Sequence, residues 1–250
     1  LLTHLLCLSF LILSCNTLVY AAEIRVAVAS NFSETLKVLA TKFEHQTNHT
    51  VIIIPGSTGK LYAQITHGAP YDAFFSADSA RAIRLESDGL TKPENRFTYA
   101  FGKILLWSPK EAYVDNNGQI LLTQTFRHLA IANPKLAPYG KAAFEVLQAR
   151  SMWKQLKGRI VRGENIGQTF QFVKSGNAQL GFIALSQVKR PGQSIRGSYW
   201  TVPESLYQPL EQQAVQLKPN QATSQFMSFV QTEESQKLIQ SYGYGVKSVQ

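Results

Sequence analysis

The 250-residue chain carries 25 Lys and Arg against 16 Asp and Glu, a formal net charge of +9, with 44% hydrophobic and 16% charged residues. That balance excludes a disordered chain and leaves room for one large domain or two small ones, each with a real core. The basic residues are scattered without a cluster or stripe, so no nucleic-acid partner is expected.

Residues 5–20 form an apolar stretch ending in Val19-Tyr20-Ala21-Ala22, with small residues where a signal peptidase would cut after Ala21. Residues 1–22 are therefore expected to be a secretory signal peptide, which makes the protein periplasmic. A retained membrane anchor is the alternative, but the apolar core is short for a span. Ile12-Leu13-Ser14-Cys15 matches a lipoprotein signal only in part. Both cysteines, Cys7 and Cys15, lie in this stretch, so the mature chain has neither disulfide nor thiol chemistry.

Four strand–turn–helix units follow. Residues 24–29 are a short apolar run of strand type, followed by Ser30-Asn31-Phe32-Ser33-Glu34 and then Leu36, Leu39, Ala40 and Phe43 at helical spacing. Asn31 with Glu34 has the form of a capping box. The second unit is the run 51–54, the turn Gly56-Ser57-Thr58-Gly59, and a helix to about residue 67. Residues 73–75 read as a buried strand, with a helix after Asp78 that stops at Gly89. Residues 97–107, broken at Gly102, are too long for an ordinary strand and read as a crossover between two lobes. The third unit is the strand 129–132, a polar turn through Tyr139, and a helix over 142–149. The fourth is a strand over 158–162, the turn Gly163-Glu164-Asn165-Ile166, and a helix over 167–175. Residues 181–185 are one more buried strand, 198–202 are expected to return the chain to the first lobe, 213–217 form a later strand, and two amphipathic helices close the chain.

This rhythm predicts an α/β protein of two lobes, each a mainly parallel sheet flanked by helices with the ligand cleft between them. The expected division is 23–101 with 203–250 for one lobe and 102–202 for the other, with hinges near 101–103 and 198–202. In such sheets ligands gather at the C-terminal strand ends, beside the helix starts. That edge would hold Ser30 and Asn31, Ser57 and Thr58, Tyr139, and Asn165 with Ile166. Glycines free the turn backbone, and each new helix presents N–H groups without partners, which favours an anion. The plainer alternative is that Ser57 or Thr58 merely caps its own helix.

The turns, together with residues 29–32, 56–59, 68–78, 96–103, 132–140 and 181–186, carry a resemblance that runs through nearly the whole mature chain in order. The sequence resembles the periplasmic molybdate-binding proteins of ABC importers, members of the type II periplasmic binding-protein fold. That resemblance implies an oxyanion held by neutral donors: the Ser30 hydroxyl and backbone, the Asn31 backbone, the Thr58 hydroxyl and backbone with Ser57 sharing the role, Tyr139 by backbone or hydroxyl, and the Ile166 backbone. It further implies molybdate or tungstate as transported ligand, no cofactor and no cation site, a monomer, and a membrane permease as partner. Two positions depart from the family: Thr58 stands where Ser is common, and Ala184 stands where one branch carries a tyrosine, leaving Tyr139 as the aromatic side of the pocket.

The chemistry of the turns supports part of this independently. A fully deprotonated tetrahedral dianion needs donors alone, whereas phosphate keeps a proton and wants an acceptor such as a carboxylate. Glu34 and Glu164 are the nearest acids, and each reads as a first-turn helix residue. Donor chemistry does not separate molybdate, tungstate and sulfate. A receptor for sulfate or an organic carboxylate is the competing reading, although no Arg sits within the four turns. Lys60 and Lys141 read as solvated helix-start lysines. His45 and His49 read as a surface pair without a third zinc ligand. No Gly-x-Ser-x-Gly elbow is present and no enzymatic activity is expected.

Overall fold

The computed structural model describes residues 21–246. The expected signal peptide, apart from its last two residues, lies outside the described residues, as do Cys7 and Cys15.

The first lobe begins β1 (Glu23–Ala29), α1 (Ser33–Gln46), β2 (Thr50–Gly56), α2 (Thr58–Thr66), β3 (Ala73–Ser76), α3 (Ser79–Ser87) and β4 (Arg96–Gly102). The second lobe runs β5 (Ile104–Ser108), α4 (Ile120–Thr123), β6 (Leu129–Ala132), α5 (Pro138–Ala149), α6 (Trp153–Leu156), β7 (Ile160–Gly163), α7 (Ile166–Lys174), β8 (Leu180–Ala184), α8 (Leu185–Val188) and β9 (Ser198–Thr201). The chain then returns as β10 (Leu210–Gln216), α9 (Gln221–Gln231) and α10 (Glu233–Ser241). The sheets have strand orders β2-β1-β3-β10-β4 and β7-β6-β8-β5-β9.

Four strands of each sheet point one way and one points back: β10 is antiparallel to β3 and β4, and β5 is antiparallel to β8 and β9. The reversed strand is in each case the one that has just arrived from the other lobe, so it enters its sheet from the opposite end. Residues 97–107 do span the crossing, with Lys103 between β4 and β5. The stretch 198–202 does not cross: β9 is an edge strand of the second sheet, paired to β5 through Leu105–Thr201 and Ser108–Ser198. The return follows it, before Leu210.

The first sheet is covered on both faces, which is why its central strands are apolar without alternation. Val26, Val28 and Phe75 face α1 and α9 through Leu36, Leu39 and Phe226, while Ala27 and Phe74 face α2 and α3 through Leu61, Ile65 and Leu85. The aromatic segments at 74–75 and 226–229 thus belong to the core. His49 corrects the expectation of a surface pair. It is buried, accepts from the Ala22 N–H at 3.3 Å through Nδ1, meets Gln225 Oε1 at 3.0 Å through Nε2, and lies along the Phe43 ring. Those contacts account for the ring without a metal.

Candidate functional site

Register sets the site. Ala29 lies opposite Gly56 in the parallel β1–β2 pair, and Ala132 lies opposite Gly163 in the β6–β7 pair. The turns after β1 and β2 therefore leave one sheet side by side, and those after β6 and β7 leave the other. The two pairs of turns meet across the cleft. Ser30, Asn31, Ser57, Thr58, Tyr139 and Ile166 all line one small cavity there, of about 10 Å³ for the centre of a water-sized sphere. No Lys, Arg, Asp, Glu or His is among the residues lining it. Space of that order is on the scale of one small compact species.

Each donor can be followed atom by atom. Thr58 and Ile166 are the first residues of α2 and α7, and Tyr139 is the second of α5, so the helices themselves provide no acceptor for their N–H groups. Among the described residues, the N–H groups of Asn31, Ser57, Thr58, Tyr139 and Ile166 have no hydrogen-bond partner. Ser57 sits at the N-cap of α2 with extended backbone, but its side chain caps nothing; its Oγ is buried and unpartnered. The capping alternative for Ser57 therefore fails. Thr58 Oγ1 accepts from the Ala77 N–H at 3.2 Å and keeps its own proton to give. The three helices that start at the cavity have no acid in their first turns, whereas α1 carries Glu34 and α10 carries Glu233 and Glu234. Their positive ends are left for a ligand.

Ser30 departs from expectation. Its N–H is bonded to Gly56 O at 3.0 Å, which removes it from the donor set. Its hydroxyl donates to Asn165 Oδ1 at 3.2 Å and accepts from the Gly167 N–H at 3.1 Å, so it ties the first lobe to the second. The reciprocal tie is the Gly59 N–H to Leu136 O at 2.8 Å. In each lobe the second N–H of a cavity helix thus reaches the facing lobe, and in each lobe that residue is glycine. A Cβ on Gly59 would lie 3.0 Å from Leu136 O, and one on Gly167 would lie 3.3 Å from the Ser30 Cβ. The lobes are closed on one another.

The Asn31–Glu34 capping box does not form. The N-cap of α1 is Phe32 with no side-chain cap, and Glu34 pairs with Lys37. The Asn31 amide instead donates to Gln212 Oε1 at 2.8 Å and to the Tyr244 hydroxyl at 3.1 Å. The helix that carries Tyr139 begins at Pro138, four residues earlier than its apolar spacing indicates, because proline suits a first-turn position. The Tyr139 hydroxyl accepts from Gln212 Nε2 at 3.1 Å. Burial pushes the Tyr99, Tyr139 and Tyr244 phenols up, so all three remain neutral at ordinary pH.

Neither turn lysine lines the cavity. Lys141 lies 3.7 Å from Glu145, and Lys60 Nζ reaches Glu164 Oε1 at 3.0 Å across the cleft rim. The latter pair is half exposed, so Glu164→Gln is expected to change ligand affinity by less than about 1 kcal/mol, an effect that fades with added salt. Titrations at low and high ionic strength check this.

Residues 24–245 match the family described as bacterial extracellular solute-binding protein. The chain belongs to that family. The molybdate-binding protein ModA of Azotobacter vinelandii is 46% identical to it over 230 residues, 91% of each chain. ModA of Rhodobacter capsulatus is 42% identical over 228 residues, 90% of this chain and 88% of that one. The solved periplasmic molybdate-binding protein of Azotobacter vinelandii superposes with a TM-score of 0.87 at 42% identity, covering 89% of this chain and 99% of that chain. Two lobes closing on a cleft are the architecture of such solute-binding proteins. Within this member, sequence reasoning placed Asn165 on the ligand edge without a role of its own, and missed Tyr99, Ser186, Gln212 and Tyr244, polar side chains beside and beneath the cavity. Asn165 caps α7 by accepting from the Gln168 N–H, a local signal that was readable; the other four carry no local signal.

Proposed function

We propose that this protein captures one molybdate ion in the closed cavity, with tungstate as an isostructural alternative, and delivers it in the periplasm to the permease of an ABC importer. The observation that carries the reading is the donor set: five unpartnered N–H groups and the hydroxyls of Ser57 and Thr58 face a cavity with no charged side chain. A dianion with four oxygen acceptors satisfies such groups, and three helix N-termini stabilise its charge. Phosphate would bring a proton with no carboxylate to receive it, at a cost of about 1–3 kcal/mol. The choice of molybdate over sulfate is supported by the relatives' ligands. On this reading residues 1–22 are the export signal, the mature protein acts as a monomer, and it has no enzymatic activity or cofactor.

Ser57→Ala and Thr58→Ala are each expected to weaken binding by about 1–3 kcal/mol; Ser57→Ala leaves the melting temperature of the unliganded protein nearly unchanged, whereas Thr58→Ala also strips the Ala77 N–H of its acceptor and lowers it. Calorimetric titration of the mature chain with molybdate, tungstate, sulfate and phosphate tests the assignment. Tighter binding of sulfate than of molybdate would overturn it.

A further inference from the structure

Beneath the cavity lies a second layer of polar side chains that none of the expected donor roles uses. Gln212, on β10, is fully buried. Its Oε1 accepts from Asn31 Nδ2 at 2.8 Å and from the Tyr99 hydroxyl at 2.9 Å, and its Nε2 donates to the Tyr139 hydroxyl at 3.1 Å. Asn31 and Tyr99 belong to the first lobe and Tyr139 to the second, so one amide joins residues from both sides of the cleft. The Asn31 peptide is held from the other side as well: its carbonyl accepts from the Ser186 hydroxyl at 3.1 Å and from the Tyr244 hydroxyl at 2.9 Å. Gln212 stands where the β10–β4 register shifts, and Gly102, the last residue of β4 before the chain crosses, leaves the space for this contact. A Cβ on Gly102 would collide with the Tyr139 hydroxyl and with Gln212 Nε2.

Two atoms of this layer remain over. Asn31 Oδ1 is buried without a partner, and the Tyr139 hydroxyl, which accepts from Gln212, has a proton with no acceptor among the described residues. We propose that Gln212 is a positioning residue that sets how the Asn31 and Tyr139 N–H groups, one from each lobe, face each other across the bound anion. This rests on the oxyanion reading of the cavity above. Its consequence is that ligand affinity depends on a side chain that does not touch the ligand.

The test uses Gln212→Glu, Gln212→Leu and Gly102→Ala in the mature protein, titrated calorimetrically with molybdate between pH 6 and 8, with thermal melts of each. Gln212→Glu keeps an acceptor for Asn31 and Tyr99. When ionised, it accepts the Tyr139 proton where Gln212 donated and places a negative charge under the anion; when protonated, it can donate again. Burial raises its pKa toward this window. Its affinity is expected to fall about tenfold or more as pH rises, while the parent stays flat. Gly102→Ala is expected to lose about tenfold at every pH. A pH profile for Gln212→Glu parallel to the parent's, or Gln212→Leu and Gly102→Ala both binding within about twofold, overturns the proposal. Failure of the parent to bind molybdate, or unchanged binding in Ser57→Ala and Thr58→Ala, overturns the oxyanion reading and this inference with it. Loss in those two with no effect at Gln212 overturns this inference alone.

Discussion

Ser57→Asp is expected to reduce molybdate affinity by about a thousandfold or more, in a protein that still folds. Ser57 Oγ is buried, bonded to nothing, and lines the cavity, so a carboxylate there confronts the anion directly. Two unit charges about 4 Å apart repel by about 4 kcal/mol at an effective dielectric of about 20, and a dianion carries two. Protonating the carboxyl offers an escape, but from an ordinary Asp pKa of about 3.9 it costs about 4 kcal/mol at pH 7. Both routes lead to the same minimum loss. The sign with pH follows: the loss shrinks as pH falls toward the carboxyl's pKa and grows as pH rises. Folding is spared for a local reason. Position 57 has the extended backbone of an N-cap, Asp caps a helix as well as Ser does, and its charge suits the positive end of α2. The unliganded variant should therefore melt at or above the parent's temperature. Calorimetry and a thermal melt on one preparation separate the two effects, and molybdate binding within tenfold of the parent's would remove Ser57 from the site.

Phe75→Ala is expected to cost about 3–5 kcal/mol of stability, the largest loss in folding among the changes considered. Phe75 is fully buried on β3, and its ring meets Phe32 at 5.8 Å, Tyr99 at 5.2 Å and Phe226 at 6.2 Å. Those rings come from the turn before α1, from β4 and from α9, so no single element can move in to fill the space. Against a total of about 5–15 kcal/mol, the loss is a large fraction. At about 2–4 °C per kcal/mol for a chain of this size, the melting temperature should drop by roughly 6–20 °C. Urea unfolding with an unchanged m-value checks it, and a loss below about 1 kcal/mol would mean that the neighbours collapse onto the site. Because Phe32 directly follows Asn31, the variant should also bind molybdate less tightly.

The units that build the cavity were legible because each is local. Residues 24–29 and 51–54 read as strands from their apolar runs, and Gly56, Gly59 and Gly163 marked the turns. The helix start at Ile166 lies one residue before the expected position, and that at Thr58 two residues before it. The six expected donor residues do converge on one cavity, since parallel register places neighbouring turns level. The misreadings share one cause. Asn31 and Glu34 have the spacing of a capping box, but Asn31 bonds Gln212 and Tyr244, 181 and 213 positions away in the chain. His49 has the spacing of an exposed pair, but Gln225 claims it from 176 positions away. Residues 198–201 look like a crossing, yet pairing with β5 holds them in the second sheet.

Read along the chain alone, the residues already display the strand–turn–helix units and the neutral character of the turns, which argues against a protonated ligand such as phosphate. These follow from side-chain type and short-range spacing, which a linear chain displays. Which of several hydroxyls and N–H groups remain free is set by packing between distant elements. The Ser30 N–H is taken by Gly56 and its hydroxyl by the facing lobe, while Ser57 Oγ is left over. A buried polar group bonds whatever partner packing brings within about 3 Å, and that partner comes from distant elements whose arrangement no local pattern records.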